Sequence, residues 1–186
     1  MPPYTICLCG CSRTEHRLAE VLSGCAKIER CSVRKAPPRN SSADFLLYES
    51  AVLPPACTAQ GILILGSRLC NKPFLIPEQF IPVFDSANDR AVRLLTRSHR
   101  NGISCGCAPQ NTLSLASLSD TQAVISLQRS LVTLSGRILE PRDLTVQLRR
   151  PHELFELMAA CAVLLLTDHA ADGQISLFST RKRLFS

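Results

Sequence analysis

Short apolar runs separated by turn residues dominate the first part of the chain. Runs of this length, bounded by Gly, Pro, Asn or Asp, are typical of buried strands in a parallel sheet. The runs that we interpret as strands are residues 4–9, 44–48, 61–66, 81–84 and 103–107. The segment between residues 27 and 43 is polar and contains prolines, so we expect a surface loop there.

Residues 81–107 form the most informative unit, because the pattern changes from strand to helix and back. Residues 85–89 (DSAND) supply turn and N-cap chemistry, and Asn101-Gly102 ends the helix. The helix places its apolar side chains on one face and its arginines on another. A strand–helix–strand unit this short predicts a three-layer, Rossmann-like α/β fold built on a parallel sheet.

The pattern changes after residue 110. Residues 112–118 and 144–148 alternate apolar and polar side chains, as half-buried strands do, and residues 124–127 continue the series. These segments predict a small antiparallel extension of the parallel sheet. Pro151 then opens a helix, residues 152–166, that is apolar on nearly every face and is expected to lie in the core.

These elements suit one α/β domain over residues 1–178. We divide it into a parallel βα part (1–110), antiparallel strands (111–150) and a core helix (151–168), followed by a basic tail (179–186). The chain has 186 residues, of which 46% are hydrophobic, enough to bury a core without disulfides.

Charge and composition narrow the possible partners. The formal net charge is +6, but the basic residues are dispersed and aromatic residues make up 5%, so nucleic-acid binding is not expected. The helical arginines Arg90, Arg93, Arg97 and Arg100 are interpreted as a solvated face. The N-terminus lacks the pattern of a signal peptide, and the longest apolar run is too short to span a bilayer. We therefore expect a cytoplasmic protein with no membrane contact and reduced thiols.

The ten cysteines include two Cys-Gly-Cys triplets, residues 9–11 and 105–107, at the ends of predicted parallel strands. Cys9, Cys11, Cys105 and Cys107 could supply four thiolates to zinc, or a redox pair. The spacing departs from the Cys-x₂₋₄-Cys of structural zinc sites, so the first interpretation is buried small side chains without a cofactor. A metal-binding or thiol-redox protein is the alternative.

The order of elements resembles the central domain of the Mur ligases, the ATP-dependent amide-forming enzymes of cell-wall synthesis. Residues 4–22 occupy the place of the family's strand, phosphate loop and helix. Glu49 ends a strand as the family's magnesium-binding glutamate does. Asn88-Asp89 and Ser104-Cys105-Gly106 are similar to its later strand motifs, and Pro151-His152-Glu153 lies where the family has Gly-x-His-Asn.

The departures from that family bear on function. Gly10-Cys11-Ser12-Arg13-Thr14 has one glycine and no lysine, whereas a phosphate loop uses several glycines and a lysine. By resemblance, Ser12, Arg13, Thr14 and Glu49 are the candidates for cofactor contact, and no catalytic residue is assigned. The sequence thus indicates a non-catalytic binding or scaffold module that keeps a ligase-like scaffold without its ATP site. Its partner would be an unidentified protein or a second copy of the chain.

Overall fold

The structure is a computed structural model that describes residues 3–10, 17–32, 41–50, 60–70, 74–148, 153–170 and 174–177, the last range by its backbone alone. Within these residues, ten strands form one mixed sheet, in the order β12-β11-β8-β7-β6-β5-β4-β1-β3-β2. The strands are β1 (Tyr4–Cys9), β2 (Ile28–Cys31), β3 (Phe45–Ser50), β4 (Gly61–Leu65), β5 (Phe80–Asp85), β6 (Ile103–Gly106), β7 (Leu113–Leu118), β8 (Gln122–Leu127), β11 (Arg142–Leu148) and β12 (Gln174–Leu177), and a separate hairpin comprises β9 (Leu131–Val132) and β10 (Ile138–Leu139).

Seven neighbouring strands, from β2 to β7, run parallel to one another. The sheet then continues through β8, which is antiparallel to both β7 and β11, and β12 lies parallel to β11. The predicted parallel sheet with an antiparallel extension is therefore confirmed. The structure adds β2 within the segment predicted as a loop, and β12 near the end of the chain.

Helices cover both faces of the sheet, which gives the predicted three layers. The helices α1 (Leu18–Leu22) and α3 (Leu154–Leu166) pack on one face, in the larger of two apolar clusters. The helix α2 (Asp89–Arg97) packs on the other face through Ala91 and Leu95. Since parallel strands need a crossover between them, α2 lies where β5 returns to the start of β6.

The prediction of a core helix is confirmed in α3. Every residue from Glu156 to Leu166 is buried, and the helix lies against β5, β6, β7 and α1. A helix that is apolar all round has no favourable solvent face, so it occupies the interior. Pro151, His152 and the basic tail lie outside the described residues. No helix in the described part of the chain is long and apolar enough to cross a membrane.

Candidate binding site at the carboxyl edge of the sheet

A cavity of about 550 Å³ lies where β4 and β5 end and where α2 and α3 begin. We call it the carboxyl-edge cavity, and its polar lining includes Asp85, Asp89, Arg90, Arg93 and Glu153, with Phe155 as an apolar wall. The carboxyl ends of parallel strands are where α/β sheets place their ligands. The volume is also within the range of small-molecule sites.

Hydrogen bonds within the protein hold Asp85 and Arg90 of the cavity lining in place. Asp85 Oδ1 accepts a hydrogen bond from the Ala87 amide at 2.9 Å, which fixes the turn into α2. Arg90 Nη1 donates to the Leu69 carbonyl at 3.1 Å and so ties α2 to the loop after β4. The more exposed charges of Asp89, Arg93 and Glu153 are left facing solvent at the cavity. The cavity thus presents both signs of charge.

The backbone at the ends of β1 and β4 is engaged in strand-to-strand hydrogen bonds. The Gly10 amide donates to the Ser50 carbonyl at 3.2 Å, and the Gly66 amide donates to the Cys9 carbonyl at 2.8 Å. The Gly10 carbonyl accepts from the Arg68 amide at 2.7 Å. Amides that are already paired in this way cannot also converge on a phosphate group.

Gly10 has a structural reason to be glycine. Its φ is +66°, and a Cβ built there would lie 2.5 Å from the backbone nitrogen of Leu69. Only glycine tolerates both the left-handed backbone and this close approach. The single glycine of the turn after β1 is therefore explained by packing against the loop after β4.

The structure separates Glu49 from the carboxyl-edge cavity. Glu49 lies in β3, opposite Leu8 of β1, and β1 stands between β3 and β4. Its Oε1 is 4.0 Å from Arg30 Nη1 on β2, with the glutamate side chain 35% exposed and the arginine 61% exposed. Ser12, Arg13 and Thr14 lie outside the described residues, so their role stays a prediction.

The strand order does not bring Cys9 and Cys105 together. Cys9 ends β1 and Cys105 lies in β6, with β4 and β5 between them. Three inter-strand steps correspond to about 14 Å, whereas ligands of one zinc ion lie about 2.3 Å from the metal. Cys107 is exposed beyond the end of β6, and Cys11 lies outside the described residues. Among described residues, no group of three or more His, Cys, Asp or Glu side chains could hold a metal.

Burial also disfavours the thiolate form of Cys105. Its pKa is raised well above the ordinary value, first by burial and then by the nearby Cys161 thiol and the Asp85 carboxylate. Cys161 of α3 is likewise buried, and burial together with Cys25 raises its pKa to about 12. Because the thiolate is the form that attacks and binds metals, these two residues are inert, neutral core side chains at neutral pH.

The interpretation of the arginines as one solvated face holds for Arg90, Arg93 and Arg97, which are exposed, and is wrong for Arg100, which is half-buried beyond the end of α2. Arg90 bonds the Leu69 carbonyl, as described above. Arg100 Nη2 donates to the carbonyls of Pro77, Glu78 and Phe80 at 3.4, 2.9 and 3.1 Å. Helical spacing places these arginines on one face, but the loops of residues 67–69 and 77–80 then fold against two of them.

Comparison with known proteins identifies a fold and not a sequence family. No protein-family model matches the sequence, and no curated protein matches it. Among solved structures, the chain matches the UDP-N-acetylmuramoylalanyl-D-glutamyl-2,6-diaminopimelate--D-alanyl-D-alanyl ligase from Acinetobacter baumannii, a Mur ligase, with a TM-score of 0.53 and 12% sequence identity. The chain has a Mur-ligase-like fold.

This match covers nearly the whole of the chain but only part of the ligase. It includes 98% of this chain and 48% of the other, so the chain spans about half the length of the Mur ligase. The resemblance that the sequence suggested is therefore confirmed as a resemblance of fold. At 12% identity, the Mur-ligase-like fold carries no activity with it.

Sequence reasoning found one wall of the carboxyl-edge cavity and missed the other. Asp85, Asn88 and Asp89 were recognised as the turn before α2, but Glu153 and Phe155 reach the same place from α3. The available signal was the match of Pro151-His152-Glu153 to a family motif, which placed Glu153 near a site only by resemblance.

Proposed function

We propose that this chain is a non-catalytic binding module with a Mur-ligase-like fold, and that the carboxyl-edge cavity binds the end of a short peptide. The observation that carries the proposal is that two carboxylates, Asp89 of α2 and Glu153 at the start of α3, line the same cavity as the guanidinium of Arg93. A peptide end offers an ammonium or a carboxylate, and a site with both signs of charge can bind either group through charge-assisted hydrogen bonds.

The proposal excludes phosphoryl transfer because the turn after β1 lacks the necessary groups. Gly10 is followed by Cys11, Ser12, Arg13 and Thr14, with no lysine to meet phosphates. The Gly10 amide is already bonded to Ser50. Catalysis of phosphoryl transfer depends on positioned cations and amides around the phosphates, so a turn without them favours binding over chemistry.

We expect the affinity of the cavity for a small ligand to be modest. Its charged side chains are exposed, and exposed ion pairs contribute about 0–1 kcal/mol each. We therefore expect millimolar or high-micromolar affinity for a small probe, with a natural partner gaining more from contacts outside the cavity. Phe155 supplies an apolar surface at the cavity wall for such contacts.

The test is an NMR titration of the full chain with the zwitterionic dipeptide alanylalanine. We expect amide shifts at residues 85–93 and 153–155, and affinity reduced by about threefold or more in Arg93→Gln and in Glu153→Gln, because each loses one charge-assisted contact. Arg97→Gln is the matched control, since Arg97 is an exposed arginine of the same helix that does not line the cavity.

The proposal fails if the dipeptide shifts no resonance of the cavity. It also fails if Arg93→Gln and Arg97→Gln bind the dipeptide with equal affinity, because that result would assign the binding to overall charge instead of to the cavity.

A further inference from the structure

A second concave surface lies at the opposite end of α2. It is a groove of about 760 Å³ between the end of α2 and the sheet, over the amino end of β6. The residues that define it are His99, Arg100, Ser104, Thr112 and Arg129, with an apolar wall described below. Because α2 runs antiparallel to β5 and β6, it begins at the carboxyl-edge cavity and ends at this amino-edge groove.

The groove exists because the sheet is covered unequally. Alternation along β7, β8 and β11 directs their apolar side chains to the α3 face, where Leu113, Ile125 and Val146 are buried. The opposite face carries Ser114, Ser126 and other polar side chains. Among described residues, α2 is the helix that packs on this face, and it lies over β5. The part of this face that lies beside β6 and next to α2 forms the groove.

The floor of the groove is a pair of ordered hydroxyl groups. The Thr112 amide donates to Ser104 Oγ at 3.0 Å, and Ser104 Oγ lies 3.5 Å from Thr112 Oγ1. Either hydroxyl can donate to the other, so one hydroxyl hydrogen of the pair remains for donation to a ligand. The hydrogen bond from the Thr112 amide also holds the start of β7 against β6, so this donor is fixed in position.

The groove is lined by positively charged side chains. Arg100 and Arg129 contribute two guanidinium groups, and no carboxylate is among the described residues that line the groove. Arg129 Nη2 donates to the Gln110 carbonyl at 2.7 Å, and Arg100 is held by the three carbonyls of the loop before β5. These bonds preorganise both cations. The carboxyl-edge cavity, by contrast, is lined by carboxylates as well as by arginines.

The remaining wall is apolar. Val92 is 39% exposed, and it lines the groove together with Leu95 and Phe84. His99 stands at the rim with φ +49°, a left-handed backbone conformation that ends α2 and turns the chain into β6. The groove therefore combines fixed cations, a hydroxyl donor and an apolar surface within one ligand-sized space.

We propose that the amino-edge groove binds a small phosphate monoester whose organic group is apolar or aromatic. A phosphoryl group offers three acceptor oxygens, enough to receive the guanidinium of Arg129 and one hydroxyl donor of the Ser104–Thr112 pair. The organic group packs against Val92 and Phe84. The site lies at the other edge of the sheet from the strand ends where α/β folds usually bind nucleotides.

Phenyl phosphate is the probe, titrated into the 186-residue chain and followed by NMR and calorimetry. We expect shifts at residues 99–104 and 112, and affinity for phenyl phosphate above that for inorganic phosphate or for phenol, because only the ester engages both the cations and the apolar wall. Added NaCl should weaken the binding, since the groove is open to solvent.

The variants distinguish binding of phenyl phosphate in the groove from general attraction of the anion to a basic protein. Arg129→Gln should weaken phenyl phosphate binding by about tenfold, the worth of one charge-assisted contact, and Arg129→Lys by less. His99→Asn removes the imidazole while keeping a residue that tolerates the left-handed backbone, so its shifts map the rim without unfolding the turn. Arg97→Gln, with the same loss of charge outside the groove, should leave the affinity unchanged.

The proposal is overturned if phenyl phosphate causes no shifts in the groove up to about 10 mM, a limit that corresponds to negligible affinity. It is equally overturned if Arg129→Gln, shown by circular dichroism to be folded, binds as tightly as the unaltered protein. Equal weakening by Arg97→Gln would also contradict it, because the binding would then depend on net charge alone.

Discussion

Asn88 joins the start of α2 to the end of β4: its Nδ2 donates to the Gly66 carbonyl at 2.9 Å. The same side chain caps the helix, because Oδ1 accepts from the Ala91 amide at 3.3 Å. One residue thus satisfies a free helix amide and a strand-end carbonyl. The two bonds also shape the carboxyl-edge cavity, since the loop after β4 and the first turn of α2 are two of its walls.

Replacing Asn88 by alanine should destabilise the protein by about 1–2 kcal/mol, because the helix loses its cap and the Gly66 carbonyl loses its donor. Equilibrium unfolding in urea, followed by circular dichroism, measures the change. Asn88→Asp is the matched comparison: it keeps a capping oxygen but has no donor for Gly66, so its loss should be smaller. An alanine variant as stable as the original protein would show that neither bond contributes.

Truncation of Leu164 to alanine should cost about 2–5 kcal/mol, through lost burial and the cavity that remains. Leu164, in the last turn of α3, is 1% exposed, so its side chain has no route to solvent. Val132→Ala serves as the control, since Val132 is 57% exposed and its truncation should change stability by less than about 0.5 kcal/mol.

The competing interpretation makes α3 an interface between copies of the chain. An unchanged urea midpoint for Leu164→Ala, with dissociation of an oligomer, would support that interpretation against ours.

The free energy of unfolding should decrease as the pH rises above about 8.5, where a thiol in the unfolded chain loses its proton. The pKa of Cys161 is raised to about 12 in the folded protein by burial, whereas a thiol in the unfolded chain titrates near about 8.5. Between these values the unfolded chain has released the proton and the folded protein still holds it, so each pH unit removes about 1.4 kcal/mol per buried thiol.

The pH dependence of urea unfolding from neutral to alkaline conditions tests this linkage. Cys161→Ala removes one of the buried thiols, so its stability should decline less steeply above about pH 9 than that of the original protein. Cys105 keeps part of the slope in that variant, since burial raises its pKa as well. Identical slopes for the two proteins would mean that Cys161 titrates in the folded state as it does in the unfolded chain.

Elements that are completely buried could be predicted from the sequence. Each of these elements is apolar along its length, so burial in the interior of an α/β fold is favoured for it. They are the strands β1, β3, β4 and β5 and the helix α3. The edge strand β2 was missed because Ile28-Glu29-Arg30-Cys31 has no apolar run, and its burial is partial along its length. Edge strands gain less from burial, so their pattern is weaker.

Positions that depend on contacts distant in sequence could not be predicted. Arg100 follows helical spacing in the sequence, but its three carbonyl partners, Pro77, Glu78 and Phe80, lie 20 to 23 residues earlier. The strand order likewise separates Cys9 from Cys105, a fact that no spacing rule contains. Glu153 and Asp89 line one cavity because α2 and α3, although they lie on opposite faces of the sheet, both begin at its carboxyl edge.

The central claim is that a Mur-ligase-like fold here serves binding without an ATP site. Isothermal titration calorimetry of the full chain with ATP and Mg²⁺, accompanied by an assay for phosphate release, tests it most directly. We expect no saturable heat up to about 1 mM ATP and no release of phosphate, with a P-loop ATPase as the positive control. Micromolar binding or measurable hydrolysis would contradict the claim, and the loss of that activity in Glu49→Gln would place the site at the end of β3.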